Sequence, residues 1–213
     1  EDPTEGFVKL HPFGSVTVEM CIGETGGAQR HAIQKMVAEI MNVPYEMVEI
    51  TPGDTKINPT GFGLCGSRGT ITYGHAVSSA AEDARNKLFE LAKPYLEVAT
   101  DSMYLTDYGV ATVARPGKFV TWKKLIPQDL TLTGYGQHLE NFSTPNMFII
   151  FLEVEVDKET GKVDLLHCLG GTDCGQAIDP SMLEMQVQSG IGSASLDTAL
   201  FEEHIIDPAT KRT

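Results

Sequence analysis

The sequence lacks the features that would indicate a membrane-spanning, secreted or metal-chelating protein. No stretch of its 213 residues approaches the roughly 18 consecutive apolar residues that cross a bilayer. The segment EDPTEGFVKL has neither the basic start nor the apolar core of a signal peptide. The four cysteines form no CxxC pair, so their spacing predicts neither a zinc site nor a disulfide framework. Free thiols in a reducing cytoplasm are the resulting expectation.

Basic residues are scarce relative to acidic ones. The chain has 16 Lys and Arg against 29 Asp and Glu, a net charge of −13 and a pI of about 4.8. Such an acidic surface argues against nucleic acid or an anionic membrane as a partner, because both would repel it. The length and the 41% hydrophobic content suffice for a buried core in one large or two small domains.

The sequence does contain alternating strand-like and helix-like segments. Residues 15–22 alternate as a half-buried strand does, and residues 47–53 read as a second strand. Between them, apolar residues recur at helical spacing and stop before Pro44. The members of that stripe are Ile33, Met36, Val37, Ile40 and Met41. The order strand–helix–strand predicts a layered unit of helices and strands.

The rest of the chain predicts further elements of both kinds. They are a long helix to about Pro94, a hairpin over 103–125, a connection with weak periodicity over 127–146, a strand over 148–157 with a returning strand, and a final helix from the Asp179 cap to about Glu203. The predicted fold class is therefore α+β, with twisted sheets covered by helices. We expect a first α/β unit over about 1–100, with the hairpin, strands and final helix in 101–213.

Glycine-rich segments precede the predicted helices. They are GETGGAQ (23–29), GSRGT (66–70) and GGTDCGQAIDP (170–180). Helix N-termini present free N–H groups and the positive end of the helix dipole, and glycine allows close approach of a ligand, so these turns favour an anion. None has the spacing of a P-loop or a dinucleotide-binding turn. From the residues alone, Arg68 is either an anion contact or an exposed loop arginine.

In this order the segments resemble the xanthine dehydrogenase/aldehyde oxidase family of molybdenum hydroxylases. SVTVEMCIGETGGAQRHAIQKM, which runs on to ITPGDT, is similar to the family segment with a Gly-Gln-Gly turn. GFGLCGSRGTITYGHAV resembles the loop with a Ser-x-Ser-Thr core at the molybdenum, and is closest to the GSRST form of carbon monoxide dehydrogenase-type large subunits. DCGQAIDP and EMQ resemble the family's D-C-G-x-x-I-N-P and E-G-Q. The resemblance covers nearly all of residues 14–210.

The resemblance implies a molybdopterin cofactor, often in a cytosine dinucleotide form in bacteria, and a molybdenum cofactor-binding domain-like fold. It implies that the cofactor is contacted by residues of the GSRGT loop and of the EMQ segment, namely Gly66, Ser67, Arg68, Gly69, Thr70 and Gln186. Counting back from Pro44 places Gly27 where the family has its glutamine, and Gln29 takes that role only with a short deletion. Many neutral donors hold such a cofactor, so no protein ligand to a metal is predicted.

The family resemblance also implies an activity, which is hydroxylation of an aldehyde or N-heterocycle with water as the oxygen source. The family's general base is a glutamate in a G-x-G-E motif, which the 213 residues do not contain, so no catalytic residue is predicted. We therefore expect part of a larger cytoplasmic enzyme that is inactive alone, with its cofactor site empty in isolation.

The implied partners are the remainder of the molybdenum subunit, iron–sulfur and FAD subunits or domains, and a small-molecule substrate. The sequence does not identify that substrate, and it is compatible with an oligomer. Two other interpretations stay open. One is a cofactor-free binding or assembly module that keeps the fold. The other is an unrelated α+β phosphate-binding protein.

Overall fold

The structure is a computed structural model that describes residues 3–61, 63–139 and 144–211. The chain forms two compact units, 1–142 and 143–213. The first contains β1 (Thr4–Leu10), β2 (Val16–Glu19), α1 (Gln29–Met41), β3 (Val48–Ile50), α2 (Gly69–Leu96), β4 (Met103–Thr106), β5 (Gly109–Thr112), β6 (Phe119–Thr121), α3 (Trp122–Leu125) and β7 (Leu132–His138). The second contains β8 (Met147–Val156), β9 (Val163–Asp173), α4 (Pro180–Ile191) and α5 (Asp197–Leu200).

The main sheet of the first unit has the strand order β3-β2-β1-β7. β1 runs antiparallel to β2 and β7, whereas β2 and β3 are parallel and are joined through α1. The predicted inward face of residues 15–22 is confirmed, because Val16, Val18, Met20 and Ile22 are fully buried. Most of the predicted apolar stripe of α1 joins the same core. The α+β class predicted from the sequence is therefore confirmed.

Helix α2 lies directly against β7, which corrects the expectation of an irregular connection over 127–146. A Cβ added at Gly134 would lie 2.1 Å from the Ala80 carbonyl oxygen, and one at Gly136 would lie 2.1 Å from that of Ala76. The glycines thus let the helix backbone approach the strand to a distance that any side chain would prevent. The same glycines weaken the period-two pattern of TGYGQH, which is why the sequence did not indicate a strand here.

A carboxylate on α2 also ties the helix to β7. Asp83 accepts hydrogen bonds from Lys87 Nζ at 2.7 Å and from the Tyr135 backbone N–H at 2.9 Å. Partial burial raises the pKa of the Asp83 carboxyl, but these two donors outweigh it and leave the pKa below its ordinary value. The ionised carboxylate therefore helps to hold α2 in register on the sheet.

Two other predictions for the first unit needed correction. The expected hairpin over 103–125 is a three-stranded sheet, β4-β5-β6, followed by α3. Its apolar residues Met103, Val110 and Val120 share one core with α2, so these strands belong to the first unit and the boundary between the units falls at 142/143 instead of near 100. β1 was not predicted, although Val8 and Leu10 of that strand are fully buried.

The second unit consists of a ribbon and a broken helix. β8 and β9 pair antiparallel with a register shift at Glu153/Val154, as the predicted strand and return require. The expected helix to about Glu203 instead breaks after Ile191 into a π-helical turn over 192–196 and the short α5. Gly190 and Gly192 lie at the break, where glycine lowers helix propensity. In the described ranges, no helix is long and apolar enough to cross a membrane.

Candidate functional site

The parallel strands β2 and β3 end at the same edge of the main sheet, and α1 begins there. Arg30, in the first turn of α1, donates to the Ile50 carbonyl at 2.7 Å and to the Thr51 carbonyl at 3.2 Å. A third, longer contact of 3.5 Å reaches the Ile22 carbonyl. The guanidinium therefore satisfies strand-end carbonyls and fixes the start of α1 over the carboxyl edge of the sheet, where α/β layers commonly bind ligands.

The glycine-rich loop before α2 is fixed to the same edge by Tyr73. This fully buried side chain lies in α2, donates its hydroxyl proton to the Cys21 carbonyl at 2.7 Å and accepts the Gly63 N–H at 3.1 Å. One phenol thus joins the segment after β2 to the loop that leads into α2. Sequence reasoning missed both Arg30 and Tyr73, because neither belongs to a motif and their roles depend on partners distant in sequence.

The starts of α1 and α2 are neighbours, and the Gln29 side chain lies between them. A Cβ added at Gly69, the first residue of α2, would lie 3.3 Å from Gln29 Cγ and 2.8 Å from Leu64 Cδ2. A Cβ added at Gly27 would lie 2.1 Å from Gln29 Nε2. The amide of Gln29 therefore covers Gly27, and any side chain at Gly27 would displace it.

The Gln29 amide is incompletely satisfied. Its Oε1 is buried and has no hydrogen-bond partner within the described residues 3–61, 63–139 and 144–211. Buried acceptors of this kind are rare in folded proteins, and each one calls for an explanation. A ligand with an N–H or O–H group would supply the missing donor.

Neither α1 nor α2 can satisfy its first N–H groups with the side chain of the residue before it. Ala28 precedes α1 and has no polar side-chain atom, and Arg68 precedes α2 and carries only donors. Ala28 and Ser67 both have φ of 56°, a left-handed conformation that L-residues adopt at some cost. The two helix starts therefore present N–H groups in a strained, fixed backbone.

Arg68 adds the local positive charge. A Cβ added at Gly66 would lie 3.1 Å from Arg68 Nη2, so the guanidinium covers the backbone of its own loop. The Arg68 carbonyl accepts the Thr72 hydroxyl at 3.1 Å, within the first turn of α2. Gly66, Ser67 and Thr70 are exposed. Together, these groups can bind a polar ligand that combines an anionic part with hydrogen-bond donors.

Gln186 is the one predicted site residue outside the first unit. It lies on α4, where its side chain is exposed and its Nε2 lies 3.7 Å from Met185 Sδ. The convergence described above therefore concerns the first unit only, and comprises Gly27, Gln29, Gly66, Ser67, Arg68, Gly69 and Thr70.

Comparison with known proteins assigns the family of this chain. A model of the family described as the molybdopterin cofactor-binding domain matches residues 1–212. The chain belongs to that family. The family resemblance inferred from the sequence motifs is thus confirmed.

Individual relatives agree with this assignment. The carbon monoxide dehydrogenase large chain of Hydrogenophaga pseudoflava is 27% identical over 86% of the chain and 24% of its own length. The xanthine dehydrogenase molybdenum-binding subunit of Escherichia coli O157:H7 is 27% identical over 91% of the chain and 27% of its own length. The solved structure of reconstituted CO dehydrogenase from Oligotropha carboxidovorans has a TM-score of 0.82 and 26% identity, over 96% of this chain and 26% of that one. The chain thus spans about a quarter of the length of these relatives.

Proposed function

We propose that this chain supplies part of the molybdopterin site of a molybdenum hydroxylase, at the adjoining starts of α1 and α2. The observation that carries the proposal is the Gln29 side chain between them, whose buried Oε1 lacks a partner within the described ranges. Leaving such an acceptor unsatisfied costs about 1–3 kcal/mol. A pterin edge carries N–H donors that would satisfy it, and family membership favours this ligand over other polar molecules.

The same geometry supports roles for the predicted residues of the first unit. Gln29 would supply the amide at the position that counting from Pro44 gives to Gly27, since its side chain covers that glycine. Backbone N–H groups of the Gly66–Thr70 loop would bind the anionic parts of the cofactor, and Arg68 would add positive charge. For Gln186, in the second unit, the family resemblance alone suggests a hydrogen bond to the pterin edge. When bound, the cofactor supplies the two-electron oxidation by which a substrate C–H becomes C–OH, with water as the oxygen source.

The whole protein would then hydroxylate an aldehyde or an N-heterocycle. Its activity would need the remainder of the molybdenum subunit and iron–sulfur and FAD partners. The cofactor would be molybdopterin, in its plain or its cytosine dinucleotide form. Relatives named for carbon monoxide, nicotine and xanthine all match this region, so the match by itself does not identify the substrate. The isolated chain would be inactive, because it spans about a quarter of such subunits. A cytoplasmic location stays a prediction.

The test measures cofactor in the intact subunit, purified with its partners from a host supplied with molybdate. Molybdenum is counted by elemental analysis and the pterin by fluorescence after oxidation, for the unmodified protein, for Gln29→Met and for the control Gln128→Met at an exposed glutamine. We expect cofactor in the unmodified protein and the control. In Gln29→Met we expect about a tenfold weaker retention, which corresponds to one lost hydrogen bond of about 1.4 kcal/mol.

The outcomes separate the candidate functions. Gln29→Met should not lower the thermal stability of the chain, because it removes a polar atom that the described residues leave unsatisfied. An unmodified subunit without molybdenum or pterin would refute the proposal. That result would favour the cofactor-free assembly module, which the glycine at position 27 also supports. Tight binding of a nucleotide by the chain alone would instead favour the phosphate-binding alternative.

A further inference from the structure

The ribbon of the second unit carries an exposed apolar surface at its open end. In the β8–β9 register, Phe151 pairs with Leu169, and Ile149 and Met147 follow on the same side of β8. These side chains keep 58%, 67%, 54% and 74% of their area exposed, respectively. We call these residues, Met147, Ile149, Phe151 and Leu169, the apolar face.

The chain's own helix covers part of the opposite side of the ribbon, although other apolar side chains on that side stay about half exposed. A Cβ added at Gly170, the partner of Ile150, would lie 2.1 Å from Ile191 Cδ1 and 3.6 Å from Val187 Cγ1. Helix α4 therefore packs closely on that side. Within the described residues, the ribbon has no third strand, and the apolar face is the more exposed of its two sides.

A two-stranded ribbon is marginal without further packing, and a run such as MFIIFL is typical of a strand that is buried on both sides. The polarity changes sharply at the register shift. Glu153 lies at the shift, and Glu155 and Asp164 lie beyond it, all on the same side as the apolar face. The ribbon then ends in the charged turn 157–162. The open end thus has the composition of an interface centre and the turn end has that of a solvated rim.

We infer that the apolar face is an internal interface, covered by an apolar surface from the remainder of the same subunit. This inference rests on the proposed function, since the chain spans only about a quarter of the relatives' length and the covering surface would come from the rest. An uncharged apolar centre is typical of permanent interfaces and not of transient ones. A second copy of the chain is a poorer occupant, because each copy carries a net charge of −13 and acidic groups border the apolar face.

The test compares the isolated chain with the intact subunit by hydroxyl-radical footprinting, which reads the exposure of Met, Phe and Leu side chains. We expect the reactivity of Phe151 and Leu169 to fall by about tenfold in the intact subunit, as their exposure drops from 58% and 67% to the few per cent typical of core side chains. Carbodiimide labelling of Glu155 and Glu159 serves as the matched control, and we expect it to persist in both samples because these carboxylates form the rim.

Equal reactivity of the apolar face in the two samples would overturn the inference. Protection in the isolated chain that grows with its concentration would also overturn it, because a second copy would then be the occupant. Cofactor content of the same subunit separates this result from the proposed function. Protection of the apolar face in a subunit without molybdenum would support the interface and refute the proposed function. Cofactor in a subunit without protection would refute only the interface.

Discussion

Helices α1 and α2 begin differently from α4, although all three follow glycine-rich segments. Asp179, before α4, has an extended backbone, and its Oδ1 accepts the N–H groups of Ser181 at 2.9 Å and Met182 at 3.2 Å. Ala28 and Arg68, before α1 and α2, offer no side-chain acceptor. A helix that supplies its own carboxylate has less need of an external anion. The comparison therefore separates candidate ligand-binding helix starts from self-capped ones within one chain.

The largest effect should come from displacing α2, since its start forms half of the site. In Gly136→Ala the new Cβ would meet the Ala76 carbonyl at 2.1 Å, and backbone cannot move aside as a side chain can. We expect a loss of about 3 kcal/mol in the free energy of unfolding, measured by urea denaturation. Its strand partner provides the control: a Cβ at Gly6 has its nearest neighbour at 3.8 Å, so Gly6→Ala should change little. Equal losses would refute the role assigned to close packing.

Removing the Tyr73 hydroxyl, which joins the loop before α2 to the segment after β2, should have the next largest effect. Tyr73→Phe leaves the Cys21 carbonyl and the Gly63 N–H without this partner. We expect the free energy of unfolding to fall by about 2 kcal/mol. Amide exchange at Gly63 should also accelerate. Tyr135→Phe, at an exposed phenol bonded to Glu5, should cost less than about 0.5 kcal/mol. If both variants lose the same stability, Tyr73 does not fix the loop.

Removing the cap of α4 should give a smaller, local loss. Asp179→Ala deprives two N–H groups of their acceptor and should cost about 1 kcal/mol, with faster amide exchange at Ser181 and Met182. The converse change, Ala28→Ser before α1, should bring no comparable gain, because the left-handed backbone at 56° differs from the extended conformation of a capping residue. If Ala28→Ser raised the free energy of unfolding by about 1 kcal/mol, as a capping residue does, the distinction drawn between the starts of α1 and α4 would be wrong.

The smallest effect should come from relieving backbone strain at the start of α2. Ser67 has φ of 56°, so Ser67→Gly should raise the free energy of unfolding by up to about 1 kcal/mol, measured by urea denaturation. Ser78→Gly, within α2, should lower it by about 0.5 kcal/mol through helix propensity. The same sign for both variants would show that Ser67 is not strained.

Much of the fold follows from local sequence, but parts of it do not. The apolar stripes of α1 and β2 and the long β8–β9 ribbon are confirmed, because each follows from a regular hydrophobic period. β7 was missed, since Gly134 and Gly136 serve contact with α2 and not the strand pattern. The three-stranded sheet and the break after Ile191 likewise depend on neighbours and on small local differences in helix stability.

The sequence by itself determined the family and the loops that carry its motifs, because glycine-rich turns and their order are written in consecutive residues. Tertiary structure alone decided which of those loops meet. It placed the Gln29 side chain beside Gly69, at the start of α2, and it gave Tyr73 and Arg30 their carbonyl and N–H partners. The contact of Gln29 with Gly69 and the hydrogen bonds of Tyr73 with Cys21 and of Arg30 with Ile50 join residues that are far apart in the chain. They exist only after the sheet and both helices have packed.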